Sequence, residues 1–192
     1  MRETSPKRRI VVAVTGASGS LYARLLCGRL AASEAVDEIA LIVTGNGRRV
    51  AAYEDRTDWM DDPRYTLYDD GDLFGAPASG SARYDAMAVV PCSMGMAGRI
   101  ASGVSDSLAS RAADVMLKER RRLVLVTREA PLSAIHLHNL LRLTEAGAIV
   151  CPASPSFYSK PATVEQLCGT IVERVLSLLG VDAPHYEWGA ER

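Results

Sequence analysis

The stretch Arg9-Ile10-Val11-Val12-Ala13-Val14-Thr15-Gly16-Ala17-Ser18-Gly19-Ser20 constrains the fold more than any other part of this chain. An unbroken apolar run, rich in β-branched side chains, stops at Thr15. A turn of small residues follows, and then Leu21, Leu25, Leu26 and Leu30 recur at helical spacing. This reads as a strand, a tight turn and a helix start. A strand that is apolar throughout is buried on both faces, as in a parallel sheet covered by helices. The turn brings backbone N–H groups and the Ser18 hydroxyl to a helix N-terminus, where unpaired donors and the helix dipole favour a phosphate. The same residues also fit a plain strand–helix turn with a serine cap.

The alternation continues along the chain. Strands are expected at residues 10–15, 38–44, 86–91, 123–127 and 147–151, and helices at 20–32, 47–53, 105–118, 132–145 and 163–179. The pattern predicts a single-domain α/β fold, a doubly wound, Rossmann-like parallel sheet with helices on both faces. Ligands in such folds sit beyond the carboxyl ends of the strands. The chain's 192 residues suit one domain. Residues 1–8 read as a flexible basic tail, 9–180 as the domain, and 181–192, with Tyr186 and Trp188, as a tail able to dock on a neighbouring subunit. Residues 56–84 are the least regular, and a loop that long is functional or mobile in most compact domains.

Composition excludes several classes. A net charge of -1 offers no global field for nucleic acid or an anionic membrane. No apolar run approaches the roughly 20 residues that span a bilayer. Cys27, Cys92, Cys151 and Cys168 are widely spaced with no C-x-x-C, which argues against zinc or a disulfide framework and fits a cytoplasmic protein without a metal.

The opening turn lacks the third glycine of a dinucleotide fingerprint and the Gly-Lys-Ser/Thr of a Walker loop. It suits a single phosphate, as in a flavin mononucleotide. A second strand end opens into Cys92-Ser93-Met94-Gly95-Met96-Ala97-Gly98, and two such turns on adjacent strands would wall one crevice. Cys92 reads as a buried small hydrophobe rather than a nucleophile. Arg111 and Lys118 are seven apart and share a helix face. Arg128 and Glu129 follow an apolar strand at a site-like position, with Pro131 at a helix start. His136 and His138 do not share a face, so they and His185 read as structural or surface residues. Phe157-Tyr158 sits in a proline-rich loop that suits a rigid wall. Glu54 alone reads as a solvated carboxylate.

Together these segments resemble the flavin prenyltransferase family, the UbiX type. The resemblance is carried by Thr15-Gly16-Ala17-Ser18-Gly19, Ala78-Ser79-Gly80-Ser81, Pro91-Cys92-Ser93, Arg111-Ala112-Ala113-Asp114 through Lys118-Glu119-Arg120-Arg121 to Arg128-Glu129-Ala130-Pro131, and Phe157-Tyr158. It implies a flavoprotein that joins a dimethylallyl group from dimethylallyl phosphate to N5 and C6 of reduced FMN, without a metal. The product, prenylated FMN, would serve a UbiD-type decarboxylase. A homo-oligomer is implied, a dodecamer with sites shared between subunits.

The resemblance assigns Ala17, Ser18 and Gly19 to the FMN phosphate turn. It gives Thr44, Ser93, Met94, Gly95, Met96 and Arg128 to the flavin. Arg111, Lys118, Tyr158 and Arg174 would hold the prenyl phosphate, and Glu54 and Glu129 would act as acid/base pair, with Ser18 and Lys118 also in the catalytic set. Ser79-Gly80 would belong to a loop closing the site. The chain departs from the family at Leu73-Phe74, where a tryptophan is usual, at Met96, commonly threonine, and at Gly45, often lysine. A non-catalytic FMN carrier subunit is one alternative. A flavin-dependent cysteine-decarboxylase type is another, opposed by the absence of any histidine before His136.

Overall fold

The computed structural model describes residues 7–54 and 57–182. Six strands form one parallel sheet in the order β3-β2-β1-β4-β5-β6. They are β1 (Arg8–Val14), β2 (Val36–Val43), β3 (Thr66–Asp69), β4 (Ala86–Cys92), β5 (Arg122–Thr127) and β6 (Ile149–Val150). The helices are α1 (Ser20–Ala31), α2 (Gly45–Tyr53), α3 (Met94–Ala101), α4 (Leu108–Lys118), α5 (Ala134–Glu145) and α6 (Val164–Leu179). Strand order reverses between β1 and β4, and that switch point is where a doubly wound sheet opens a crevice for ligands.

Side-chain alternation along β1 explains why both faces are covered. Ile10, Val12 and Val14 join a core with α1, Ala51 of α2 and α6. Val11 and Ala13 join the opposite core with α3, α4 and Leu143 of α5. All five are essentially inaccessible, so neither face tolerates a polar substitution.

Two elements differ from the sequence expectation. The segment expected to be least regular carries more structure, over its described residues 57–84, than the sequence suggested. Within it, Thr66–Asp69 pairs with β2 as the sheet edge, too short for a periodicity signal. Trp59, Met60 and Tyr65 fold back into the first core, with the Trp59 and Tyr65 rings edge to face at 6.3 Å. Two single-turn 3₁₀ helices, Ala76–Ala78 and Gly80–Ala82, follow. The second surprise is α3, expected as a turn; it starts directly after the Ser93 cap, whose Oγ accepts from the Met96 N–H at 3.3 Å. Pro131 is not at a helix start either, because Ser133 caps α5, which begins at Ala134.

Gly47 shows how tightly α2 is seated. A Cβ there would lie 2.4 Å from the Val14 carbonyl oxygen, so only glycine lets α2 approach the end of β1. β1 begins at Arg8, inside the expected basic tail; residues 1–6, and the expected C-terminal tail from 183 onward, lie outside the described residues.

Candidate active site

The crevice at the switch point is held by one side chain. Buried Thr15, at the end of β1, donates its hydroxyl to the Pro91 carbonyl at 2.7 Å and accepts from the Ser93 N–H at 2.9 Å. This single residue stitches the two small-residue turns together as opposite walls. Arg128 extends the seam, its backbone N–H bonding the Cys92 carbonyl at 3.2 Å. The cavity is about 610 Å³ and is lined by Thr15, Gly16, Thr44, Ser93 and Met96 among others. That volume lies in the range of small-molecule and cofactor sites. α2 and α3, capped by Thr44 and Ser93, both start on it.

The opening turn binds an anion, but the anion belongs to the protein. Glu54, at the end of α2, accepts from the Gly19 N–H at 2.9 Å, the Ser20 N–H at 2.9 Å and the Ser20 hydroxyl at 2.6 Å. The Ala17 N–H is also taken, by the Thr15 carbonyl. Glu54 is therefore a half-buried, fixed group rather than the solvated carboxylate read from sequence. Burial pushes its carboxyl up. Hydrogen bonds from Ser20, Ser18 and Gly19 outweigh that and hold it below the ordinary carboxylate range. Gly19 is left-handed, with φ 109°, which turns its N–H toward Glu54 and leaves α1 without a cap from its own N-cap side chain.

The sequence-predicted residues fall into three groups. Thr44, Ser93, Gly95 and Met96 line the crevice, Ala17, Ser18, Gly19 and Met94 belong to the turns and helix start beside it, and Glu54 comes from the end of α2. Arg128, Glu129, Tyr158 and Arg174 are exposed, at the ends of β5 and β6 and on α6. The Arg128 charge is felt at Tyr22 and the Arg174 charge at Cys151, so both arginines face the α1–α6 side of the sheet.

The third group stands apart. Arg111 Nε donates to the Ala78 carbonyl at 3.1 Å, and its NH1 to Asp114 Oδ2 at 2.7 Å. Lys118 pairs with Glu119, and Arg121 donates to the Gly80 carbonyl at 2.8 Å. Ser79-Gly80 thus packs along α4. The start of α4 is pinned at the carboxyl edge of the sheet, where the Leu108 N–H bonds the Asp70 carbonyl at 2.7 Å. Lys118 ends the helix, about 15 Å further on at about 1.5 Å per residue, beside the amino end of β5. Within one protomer Lys118 and Glu54 lie toward opposite edges of the sheet.

Asn46, Arg49, Asp70, Arg99, Asp106 and Ser107 also line the crevice and were not found from sequence. Arg99 was hidden because α3 itself was read as a turn. Arg49 sits one turn after Gly45, a spacing that could have signalled it. Cys92 is fully buried, with its thiol pushed up to about 12 by burial, in line with the inert reading. His136 caps α5, its ring nitrogen accepting from the Ser133 N–H at 3.2 Å.

Comparison with known proteins decides the family. Residues 1–176 match the Flavoprotein family. The flavin prenyltransferase UbiX of Archaeoglobus fulgidus is 44% identical over 187 residues, covering 94% of this chain and 100% of that protein. The chain belongs to the flavin prenyltransferase family. Among solved structures of the family, AnUbiX (PadA1) in complex with FMN and dimethylallyl pyrophosphate superposes with a TM-score of 0.85. It is 41% identical, over 95% of this chain and 99% of that one. A dodecameric, FMN-dependent UbiX-like decarboxylase from Escherichia coli O157:H7 gives a TM-score of 0.90 at 36% identity, covering 95% and 100%. The Rossmann-like flavoprotein fold expected from sequence is borne out. Among the described residues no helix is long and apolar enough to cross a membrane.

Proposed function

We propose that the chain transfers a dimethylallyl group from dimethylallyl phosphate to N5 and C6 of reduced FMN, and that prenylated FMN then passes to a UbiD-type decarboxylase. The observation that carries this reading is Glu54, a carboxylate fixed by Gly19 and Ser20 on the same turn whose Thr15 and Gly16 line a crevice sized for a flavin. A carrier would need the crevice but not a fixed proton acceptor.

The crevice fits FMN. Its hydroxyl-capped helix starts at Thr44 and Ser93 offer unpaired N–H donors, and Arg49 and Arg99 flank them. We assign the phosphate of FMN to this end, because the donors of Gly19 and Ser20 are already taken by Glu54. Reduced FMN supplies the nucleophilic N5 and C6. Prenyl transfer breaks the carbon–oxygen bond to phosphate, whose oxygen keeps the electron pair, while N5 bonds the freed carbon and loses its proton. The C6 bond uses the prenyl double bond: one alkene carbon takes a proton, C6 bonds the other, and the C6 hydrogen leaves as a proton. Lys118, Arg111, Arg174 and Tyr158 stabilise the negative charge on the phosphate. Glu54, relayed by Ser18, accepts the proton displaced from the acceptor and passes it to the departing phosphate, with Glu129 as its partner carboxylate.

Lys118 cannot reach the Glu54 crevice of its own protomer. We therefore assign Lys118, Arg111 and the Ser79-Gly80 loop to the crevice of a neighbouring subunit in a homo-oligomer, in keeping with the dodecameric relative. We place the protein in the cytoplasm, consistent with four free thiols. The test is anaerobic incubation with reduced FMN and dimethylallyl phosphate, followed by mass analysis of the extracted flavin. A flavin heavier by one prenyl unit supports the reading. Unchanged FMN from a protein that binds it contradicts the reading and favours the carrier.

A further inference from the structure

We infer that Ser20 is a positioning residue that selects which oxygen of Glu54 takes the proton, a role that rests on the prenyl-transfer reading above. Every other described α-helix is capped by its own hydroxyl residue: Thr44, Ser93, Ser107, Ser133 and Thr163. Among the described α-helices α1 alone begins after a glycine, and it borrows its cap from the end of α2.

The hydrogen bonds are unequally shared between the two carboxylate oxygens. Oε2 accepts both the Ser20 N–H and the Ser20 hydroxyl, so its in-plane lone pairs are filled. Oε1 accepts only the Gly19 N–H among the described backbone and keeps one lone pair open. Ser18 also bonds to this carboxylate, and it is exposed, two residues beyond the crevice-lining Gly16, while Ser20 is fully buried. With Oε2 filled by Ser20, we assign the open position on Oε1 to Ser18, so that a proton leaving the acceptor runs through Ser18 to Oε1. Ser20 is fully buried and so out of reach of a ligand in the crevice. It locks the carboxyl torsion and removes Oε2 from competition.

The backbone part of the cap does not need the serine side chain, because Gly19 and Ser20 donate through their own N–H groups. Alanine is also the better helix former. Ser20→Ala is thus expected to fold and to keep Glu54 near α1, with the carboxyl free to turn.

The experiment compares wild type and Ser20→Ala as full chains, with reduced FMN and dimethylallyl phosphate under anaerobic conditions. A lost hydrogen bond to a charged group predicts a fall in kcat of about tenfold, with KM for the donor and Kd for FMN within about twofold of wild type. An unchanged kcat overturns the inference. A parallel loss of FMN affinity and kcat also overturns it, since that is the signature of a folding role. A wild type that binds FMN but forms no product overturns the prenyl-transfer reading itself, and the role of Ser20 falls with it.

Discussion

Replacing Glu54 by glutamine tests both the fold and the chemistry, and the geometry says the change is not innocent. The carboxylate accepts at both oxygens, from Gly19 on one side and Ser20 on the other. The amide must point its NH₂ at one of these donors. Its better orientation keeps the Ser20 bonds and sets NH₂ against the Gly19 N–H. One charge-assisted bond is lost, along with the charge at the N-terminus of α1. From the usual cost of a lost cap and of a helix-dipole partner, this amounts to about 1–2 kcal/mol at neutral pH. For a chain of this size that lowers Tm by roughly 2–8 °C.

The pH dependence has a fixed sign. Because the folded carboxyl lies below its ordinary value, its contribution is complete above about pH 4.3 and fades as the pH falls through the lowered folded value. Urea denaturation of wild type and Glu54→Gln, followed by circular dichroism, should give a constant gap from neutral pH down to about pH 5 and a closing gap in acid. FMN binding should survive while prenyl transfer stops. A gap below about 0.5 kcal/mol at neutral pH, the range of an ordinary surface substitution, would refute the capping role. So would a gap that widens in acid.

Other consequences follow from the same contacts. Thr15→Val removes the stitch, leaves the Ser93 N–H unsatisfied and takes one of two donors from the Pro91 carbonyl, which keeps the Thr15 N–H, at a site only 2% exposed. It should cost about 2–3 kcal/mol in urea denaturation and weaken FMN binding in a fluorescence titration; equal stability would show the walls are held otherwise. Cys92, buried and with its thiol raised to about 12, should resist Ellman's reagent at pH 8 in the folded protein. Cys92→Ala should keep prenyl transfer, and a loss of turnover with FMN still bound would restore the nucleophile reading.

Much of the architecture was legible because burial on both faces leaves a simple trace. Apolar runs such as Ile10–Val14 can only be central strands, and the leucine spacing of α1 has one periodic reading. β3 was not legible, because four residues with exposed Thr66 and Leu67 carry no alternation. α3 was hidden by its glycines and methionines, which look like a turn. In the site, the anion preference of the opening turn was visible in the sequence. The identity of the anion was not, because Glu54 comes from the end of another helix, 35 residues from Gly19. Spacing could place Arg111 and Lys118 on one face of α4, but only the fold shows that Lys118 ends α4 beside the amino end of β5, away from Glu54.

The central claim is that one prenyl-transfer site draws Glu54 from one protomer and Lys118 from another. Glu54→Gln and Lys118→Ala, each inactive alone, can be unfolded together and refolded into mixed oligomers. If subunits mix at random, roughly a quarter of the two-subunit sites then carry both wild-type residues, and activity should recover to about that fraction. Mixed oligomers that stay as inactive as either parent, while still binding FMN, would contradict the shared site.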